Sequence, residues 1–305
     1  MYDDQIQMIF YSNSKIKVFY YIKLGFLFLL TIAGGKEIFN SNLTLEWKDN
    51  ILSVYHPSIP EGKLDTWYIE AYCRAGSTAR AWEKTVIGHR TEMVSINKER
   101  NELKLRCYLN DGVIVDHLIK TEKTGVSFDL IAKNPTDKMS EAHWAQPCIR
   151  VGEFTGKGAK NTDDKYAYIE SCFVFQDKND IPDFLPTKNW KLKARYIPGQ
   201  VWCPIGVNRN DVNPRPLHPV VPYKNIIGCI SEDKEWLLAS VWDPSQELFQ
   251  GVIRCIHNDF RIGGLKPGEE KIIRGKMYLM KNDMKAFIDV YNRDFPTSKK
   301  IIKIQ

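Results

Sequence analysis

The sequence predicts an all-β protein, a large two-sheet antiparallel β-supersandwich with a C-terminal helix. Two observations lead to this prediction. From Leu43 onwards, short segments rich in β-branched and aromatic residues alternate with polar turns, whereas helical periodicity appears in one late segment. Phe, Trp and Tyr make up 12% of the chain, a content that suits strands.

Candidate strands follow one another along the chain. The segments 43–47 and 51–56 flank a Lys-Asp-Asn turn, which is a hairpin signal. A meander comes next, and its clearest turn is Asn110-Asp111-Gly112. The other candidate strands are 92–97, 102–109, 113–121, 126–134, 144–151, 169–176, 190–196, 226–230, 236–241, 251–257 and 271–280. Because hardly any helix separates them, we expect two large packed antiparallel sheets.

One helix is predicted near the C-terminus. Apolar residues recur at helical spacing between Met284 and Phe295. Asn282 or Asp283 is expected to cap this helix, and Pro296 to end it.

The N-terminal segment has the pattern of a secretory signal peptide. Lys15, Lys17 and Lys23 precede an uncharged apolar run, 24–35, that ends in small residues. A bilayer span takes about 20 apolar residues, so this run is short for one. The sequence therefore predicts a secreted or periplasmic protein with a signal peptide at 1–35 and a single sandwich domain at 36–305. The alternative is an uncleaved N-terminal segment, which would be the expected membrane contact.

Charge and cysteine content argue against several classes. The 43 Lys and Arg residues against 37 Asp and Glu give a net charge of +6 without a basic cluster, so no nucleic-acid partner is expected. The 7 cysteines are scattered and lack CxxC spacing, which favours buried thiols, with one or two disulfides allowed by export. The sequence predicts no cofactor and no metal. An alternative metal set, His257, Asn258 and Asp259 with His218, is not singled out by any spacing rule.

The most informative segment is 125–156. A strand runs into the turn Asn134-Pro135-Thr136-Asp137, and the chain returns through His143. Later come Trp242-Asp243-Pro244, Gln246-Glu247, a strand that reaches His257-Asn258-Asp259, and a Pro-Gly-Glu turn at 267–269. In the order of these patterns, over about residues 40–280, the sequence resembles the galactose mutarotase-like β-supersandwiches, which include aldose epimerases and polysaccharide lyases.

The resemblance implies a carbohydrate ligand, an oligo- or polysaccharide, and acid–base chemistry at a sugar carbon. Aldose epimerases use a His as general acid and a Glu as general base, roles that the resemblance gives to His143 and Glu247, with His257 as a further catalytic candidate. A lyase instead needs a Tyr or His base and a cation or amide cluster beside the uronate carboxylate. Epimerase and lyase both stay open. The alternative function is a non-catalytic glycan-binding module of the cell envelope.

Sugars are bound by aromatic faces and by Arg, Asn, Gln or His at their hydroxyls. Such residues concentrate near the turns and in a long Pro-rich segment, 198–223, which we expect to be a functional loop. The predicted substrate-binding residues are Arg74, Trp82, Trp144, Gln146, Arg150, Trp202, Asn213, Arg215, His218, Trp242 and Arg261.

Overall fold

The computed structural model describes residues 42–76, 80–158, 168–184, 196–212, 216–251 and 253–296. The predicted signal peptide and the predicted domain boundary at 35/36 lie outside these ranges. Within them, no helix is long and apolar enough to cross a membrane.

The described ranges contain two α-helices and seventeen strands. The helices are α1 (Trp82–Thr85) and α2 (Met284–Asp294). The strands are β1 (Thr44–Lys48), β2 (Ile51–Tyr55), β3 (Lys63–Cys73), β4 (Val86–Ile87), β5 (His89–Ile96), β6 (Glu102–Leu109), β7 (Ile114–Glu122), β8 (Gly125–Lys133), β9 (Trp144–Arg150), β10 (Cys172–Phe175), β11 (Asp183–Phe184), β12 (Tyr196–Trp202), β13 (Lys224–Ile230), β14 (Trp236–Asp243), β15 (Ser245–Gly251), β16 (Cys255–Arg261) and β17 (Glu270–Lys281).

These strands form two antiparallel sheets. The first sheet has 8 strands in the order β1-β2-β3-β9-β16-β15-β12, with β4 paired to β3. The second has 9 strands in the order β11-β10-β13-β14-β17-β8-β7-β6-β5. The predicted fold class, a large antiparallel β-sandwich with a C-terminal helix, is confirmed.

Aromatic side chains from both sheets fill the space between them. Tyr68 of β3 stacks on Phe128 of β8, with ring centroids 5.4 Å apart. The ring centroids of Trp242 on β14 and Phe260 on β16 are 4.7 Å apart. A side chain at Gly275 would overlap the Trp242 ring, so this position needs a glycine. The core thus depends on aromatic contacts between the sheets.

The predicted helix is present as α2. Its N-cap is Asp283, whose side chain accepts a hydrogen bond from the Ala286 backbone N–H at 3.0 Å. Phe287 of α2 packs against Phe175 and Tyr278, which lie on the second sheet's side away from the first sheet. The helix therefore covers the outer side of the second sheet.

Some predicted strand positions differ from the observed ones. A continuous strand over 251–257 is wrong, because β15 ends at Gly251 and β16 begins at Cys255. The chain reverses there, and Arg254 adopts a φ of 54° in the turn. Most of the predicted strand 190–196 lies outside the described residues, and β12 begins at its last position, Tyr196.

Candidate functional site

The side of the first sheet that faces away from the second sheet carries most of the buried polar side chains of β16. Successive side chains of a strand point to opposite sides of a sheet. Phe260 and Asn258 point into the sandwich, since Phe260 contacts Trp242 and Asn258 donates a hydrogen bond to the Ser240 carbonyl at 2.7 Å. The alternate residues Cys255, His257, Asp259 and Arg261 therefore share the opposite side.

Strand register adds residues of β15 and β9 to this side. Asp259 faces Glu247 of β15, and Arg261 faces Trp144 of β9. The same β9–β16 register places Gln146 opposite Asp259 and Cys148 opposite His257. We call this side of the first sheet the polar face; most of its residues are buried. Its members are Trp144, Gln146, Cys148, Arg150, Glu247, Phe249, Cys255, His257, Asp259 and Arg261.

Two carboxylates form the centre of the polar face. Glu247 and Asp259 are both 0% exposed. Neither carboxylate oxygen of Asp259 has a hydrogen-bond partner among the described residues. Burial raises the pKa of Asp259 to about 7, against the opposing effect of His257. Buried polar groups nearly always have partners. His257 Nδ1 lies 3.5 Å from Asp259 Oδ1, so this carboxylate is in charge contact with an imidazole but makes no hydrogen bond of normal length within the described residues.

At one end of the polar face, Arg261 connects β16 to the loop before residue 213. Its guanidinium donates to Gln246 Oε1 at 2.6 Å and to Asp211 Oδ2 at 3.3 Å. Asp211 Oδ1 in turn accepts a hydrogen bond from the Gly76 backbone N–H at 3.2 Å. The Arg261 side chain therefore contacts Gln246 and Asp211 directly, and Asp211 connects it to the loop at Gly76.

His143 and Trp144 lie at the same end. His143 is half-buried, and both burial and the positive charge of Arg261 lower its pKa. His143 Nδ1 and Trp144 Nε1 are buried and have no hydrogen-bond partner among the described residues. This end of the polar face thus contains two buried nitrogen atoms that make no hydrogen bond to protein groups in the described ranges.

His257 occupies the other half of the polar face. Its Nε2 lies 3.1 Å from Cys255 Sγ, and its Nδ1 lies 3.5 Å from Asp259 Oδ1. The ring of Phe249 stacks on the imidazole at 4.3 Å, with an interplanar angle of 4°. Burial alone would lower the pKa of His257, but the Cys255 thiolate and the Asp259 carboxylate outweigh burial and raise it.

The structure brings several predicted site residues together. The predicted residues that lie on the polar face or at its Arg261 end are His143, Trp144, Gln146, Arg150, Glu247, His257 and Arg261. Gln146 donates to Glu70 at 3.0 Å, and the Arg150 guanidinium lies 5.8 Å from the Trp67 ring centroid. Trp82 is adjacent, since it packs against the cluster formed by Ala71, Cys73 and Trp144.

Other predicted residues lie elsewhere. Trp242 is in the interior, because the alternation of β14 points it between the sheets. Arg74 anchors a loop by donating to Glu141 at 2.9 Å and to the Val86 carbonyl at 2.8 Å. Trp202 and His218 stack on each other with ring centroids 5.2 Å apart. Asn213 and Arg215 lie outside the described residues.

Residues that the sequence reasoning did not place in the site are also present. They are Cys148, Cys255, Asp259, Asp211 and Glu70. The spacing Cys-x-His-x-Asp over 255–259 is a signal for two of these residues, Cys255 and Asp259, because residues two apart in a strand share one side of a sheet. The predicted strand ended at residue 257, inside this pattern.

No family model and no curated protein matches this sequence. Solved structures that it resembles include a galactose mutarotase-like protein from Lactobacillus casei ATCC 334, at 7% identity over 78% of this chain and 99% of that chain, with a TM-score of 0.40. A putative aldose 1-epimerase from Escherichia coli K12 matches at 8% identity over 78% of this chain and 98% of that one, with a TM-score of 0.40.

A third resemblance is to a larger protein. The alpha-N-acetylgalactosaminidase NagBb from Bifidobacterium bifidum, solved in complex with GalNAc, matches at 8% identity over 83% of this chain and 37% of that chain, with a TM-score of 0.46. The structural neighbours thus include the galactose mutarotase-like class that the sequence pattern resembles. What this chain does has to be argued from its own polar face.

Proposed function

We propose that the polar face binds a carbohydrate at its Arg261 end and carries out acid–base chemistry on it. The observation that carries the proposal is the set of buried, unpartnered polar atoms at Asp259, Trp144 and His143. Leaving these atoms without hydrogen-bond partners costs roughly 1–3 kcal/mol each. Sugar hydroxyls both donate and accept hydrogen bonds, so one polyhydroxylated ligand can satisfy the carboxylate oxygens as well as the indole N–H. Because Asp259 and Trp144 are 0% exposed, the proposal requires the groups that cover them to move when the ligand binds.

The charged and aromatic groups at this end support a sugar ligand. Arg261 is already held by Gln246 and Asp211, which fixes the direction of its guanidinium. A positioned guanidinium can donate to a hydroxyl or to the carboxylate of a uronate. Trp144 pairs with Arg261 in the β9–β16 register, and Trp82 packs against the cluster that contains Trp144.

Acid–base chemistry needs a proton acceptor and a proton donor near the same ligand. Because its pKa is lowered, His143 is neutral near pH 7 and suits the role of acceptor, whereas the sequence-based expectation was a donor. Glu247, which pairs with Asp259 on the neighbouring strand, is the proposed proton donor and enters the step protonated. In an epimerase-like reaction His143 takes the proton of the anomeric hydroxyl while the protonated Glu247 carboxyl gives its proton to the ring oxygen, and the bond between the anomeric carbon and the ring oxygen breaks. The reverse proton transfers close the ring on either face and restore neutral His143 and protonated Glu247.

The test uses the full chain and defined probes. Saturation-transfer NMR with D-galactose, D-glucose and oligogalacturonate measures binding. Exchange NMR between sugar anomers measures epimerase-like turnover, and near-ultraviolet absorbance of polygalacturonate solutions measures lyase-like formation of a double bond. We expect His143→Ala to abolish turnover without changing the thermal unfolding midpoint.

Arg261→Ala should weaken sugar binding at least about 10-fold, as expected for the loss of a charge-assisted hydrogen bond. The matched control is Arg274→Ala, which removes an exposed arginine of the second sheet, 3.8 Å from Asp129, and should leave binding unchanged. Binding without turnover in the unmodified chain would reject the catalytic part and support the alternative, a non-catalytic glycan-binding module. No binding of any probe, or full turnover by His143→Ala, would reject the corresponding part of the proposal.

A further inference from the structure

The half of the polar face away from Arg261 carries two cysteines and a histidine. Cys148, Cys255 and His257 each offer one donor atom, and these three atoms all lie within 4.8 Å of one another. All three residues are buried. The cluster arises from register, because Cys148 of β9 lies opposite His257 and Cys255 is two residues before His257 on β16.

The imidazole of this cluster is oriented by its neighbours. Phe249 stacks on the ring and Asp259 lies on its Nδ1 side, so that Nε2 is directed to the thiols. Histidines that bind metals almost always have a carboxylate, carbonyl or water at the other ring nitrogen. Asp259, which has no other hydrogen-bond partner in the described ranges, supplies that carboxylate.

The backbone next to the cluster leaves room for it. A Cβ on Gly251, which faces Cys255 across β15 and β16, would overlap Cys255 Sγ and lie 3.1 Å from His257 Nε2. Glycine at this position therefore keeps the space beside the thiol and imidazole free of side-chain atoms. The Tyr168 hydroxyl holds the same turn by donating to the Gly251 carbonyl.

From this arrangement we propose that Cys148, Cys255 and His257 bind a zinc ion, with Asp259 as the carboxylate that orients His257. Thiolate sulfur and imidazole nitrogen are the usual zinc ligands, at about 2.3 Å and 2.0–2.1 Å from the metal. Around a tetrahedral ion, ligand atoms at those distances lie about 3.5–3.8 Å from one another. The three donor atoms here lie within 4.8 Å of one another, with 3.1 Å between Cys255 Sγ and His257 Nε2, so small side-chain shifts suffice to hold the ion. Three protein ligands leave a fourth position, which water or substrate takes in other zinc proteins.

The other buried cysteines show what distinguishes this cluster. Cys172 and Cys229 face each other on β10 and β13 of the second sheet, but without a histidine they do not make a comparable set of ligands. Cys107 lies 3.1 Å from the Thr91 hydroxyl. Thiol burial alone is therefore common in this protein, whereas the combination of two thiols with an oriented imidazole is found at the polar face.

The experiment measures zinc in the full chain, purified under reducing conditions, dialysed against a chelator and then titrated with Zn²⁺. We expect about one zinc ion per chain and a higher thermal unfolding midpoint with zinc than without it. Cys148→Ser and Cys255→Ser should lose the zinc, while the matched control Cys107→Ser should keep it. Asp259→Asn should weaken zinc binding by about 10-fold or more.

A second measurement does not depend on the variants folding. Titration of the unmodified chain with Co²⁺ should produce the near-ultraviolet charge-transfer band of thiolate-bound cobalt. Absence of this band, or zinc retained by Cys255→Ser, would overturn the proposal. Since the zinc measurements use no sugar, their outcome is independent of the carbohydrate-binding test.

Discussion

Two histidines in this protein are equally buried and yet lie in opposite chemical surroundings. His117 and His257 are each 2% exposed. His117, on β7, lies between the sheets, where its two ring nitrogens meet the hydroxyls of Tyr68 at 2.8 Å and Tyr72 at 3.1 Å. His257 lies on the polar face of the first sheet, beside a thiol and a carboxylate.

The difference shows that the neighbours, and not burial alone, set the charge of a buried imidazole. Two hydroxyls satisfy a neutral ring, which has one donor and one acceptor, so burial lowers the pKa of His117 to about 3. Around His257, the Cys255 thiolate and the Asp259 carboxylate outweigh the same effect of burial and raise the pKa. The interior layer thus holds a neutral histidine as part of the core, and the polar face holds one that interacts with anionic groups.

The largest expected effect concerns His117 and acid. In the unfolded chain the pKa of His117 is about 6.5. In the folded chain burial lowers the pKa of His117 to about 3. The contribution of His117 to stability is therefore complete above pH 6.5 and is lost as the pH falls towards 3, up to about 5 kcal/mol in all. Urea unfolding at pH 7.5 and at pH 4.5 should show about 3 kcal/mol of this loss.

The variant His117→Gln keeps a neutral donor and acceptor at this position and should flatten the pH dependence. His56→Gln is the control, because burial lowers the pKa of His56 as well but this ring is only partly buried, so the change in slope should be smaller. An unchanged slope for His117→Gln would show that His117 is not the main source of acid sensitivity.

The fold could be predicted from the sequence to a large extent, and the failures have local causes. Alternation and turn residues locate the meander from β5 to β8 within a few residues. The strand boundary at 251–255 was missed because the sequence there, QGVIRC, has no strong turn pair, and the reversal instead uses Arg254 with a positive φ. Turn signals are weak where the turn residue is not Gly, Asn or Asp.

The site was predictable only in part, because contacts between strands depend on register. The sequence singled out Arg261 and Gln146 as candidate binding residues, and the structure places both on the polar face. It did not show that Cys148 lies opposite His257, which depends on pairing between strands about a hundred residues apart. Trp242 could not be assigned to the interior from the sequence, since alternation gives two sides of a strand without saying which side meets the other sheet.

The second prediction tests how tightly the polar face is packed around His257. Gly251→Ala adds a Cβ that would overlap Cys255 Sγ, in a buried place where neither neighbour is a long flexible side chain. We expect a loss of about 1–3 kcal/mol in the free energy of unfolding, measured with urea, as for other overpacked interiors.

Gly88→Ala is the matched control for this substitution. Its Cβ would lie 2.6 Å from Asn110 Nδ2, the end of a side chain that can move aside, so the loss should be smaller. Equal losses for the two variants would mean that Gly251 is not kept for the space that the thiol and imidazole need.

The smallest expected effect concerns the Tyr68 hydroxyl that contacts His117 between the sheets. Tyr68→Phe removes the hydroxyl that meets His117 Nδ1 and leaves that buried nitrogen without a partner, which costs about 1–2 kcal/mol in the free energy of unfolding. Tyr55→Phe removes a hydroxyl that donates to Glu46 Oε2 at 2.7 Å near the surface, where water can replace it, so urea unfolding should show a smaller loss. If both variants lose the same amount, then the Tyr68 hydroxyl does not hold His117 in place, and the neutral state of this histidine must come from burial alone.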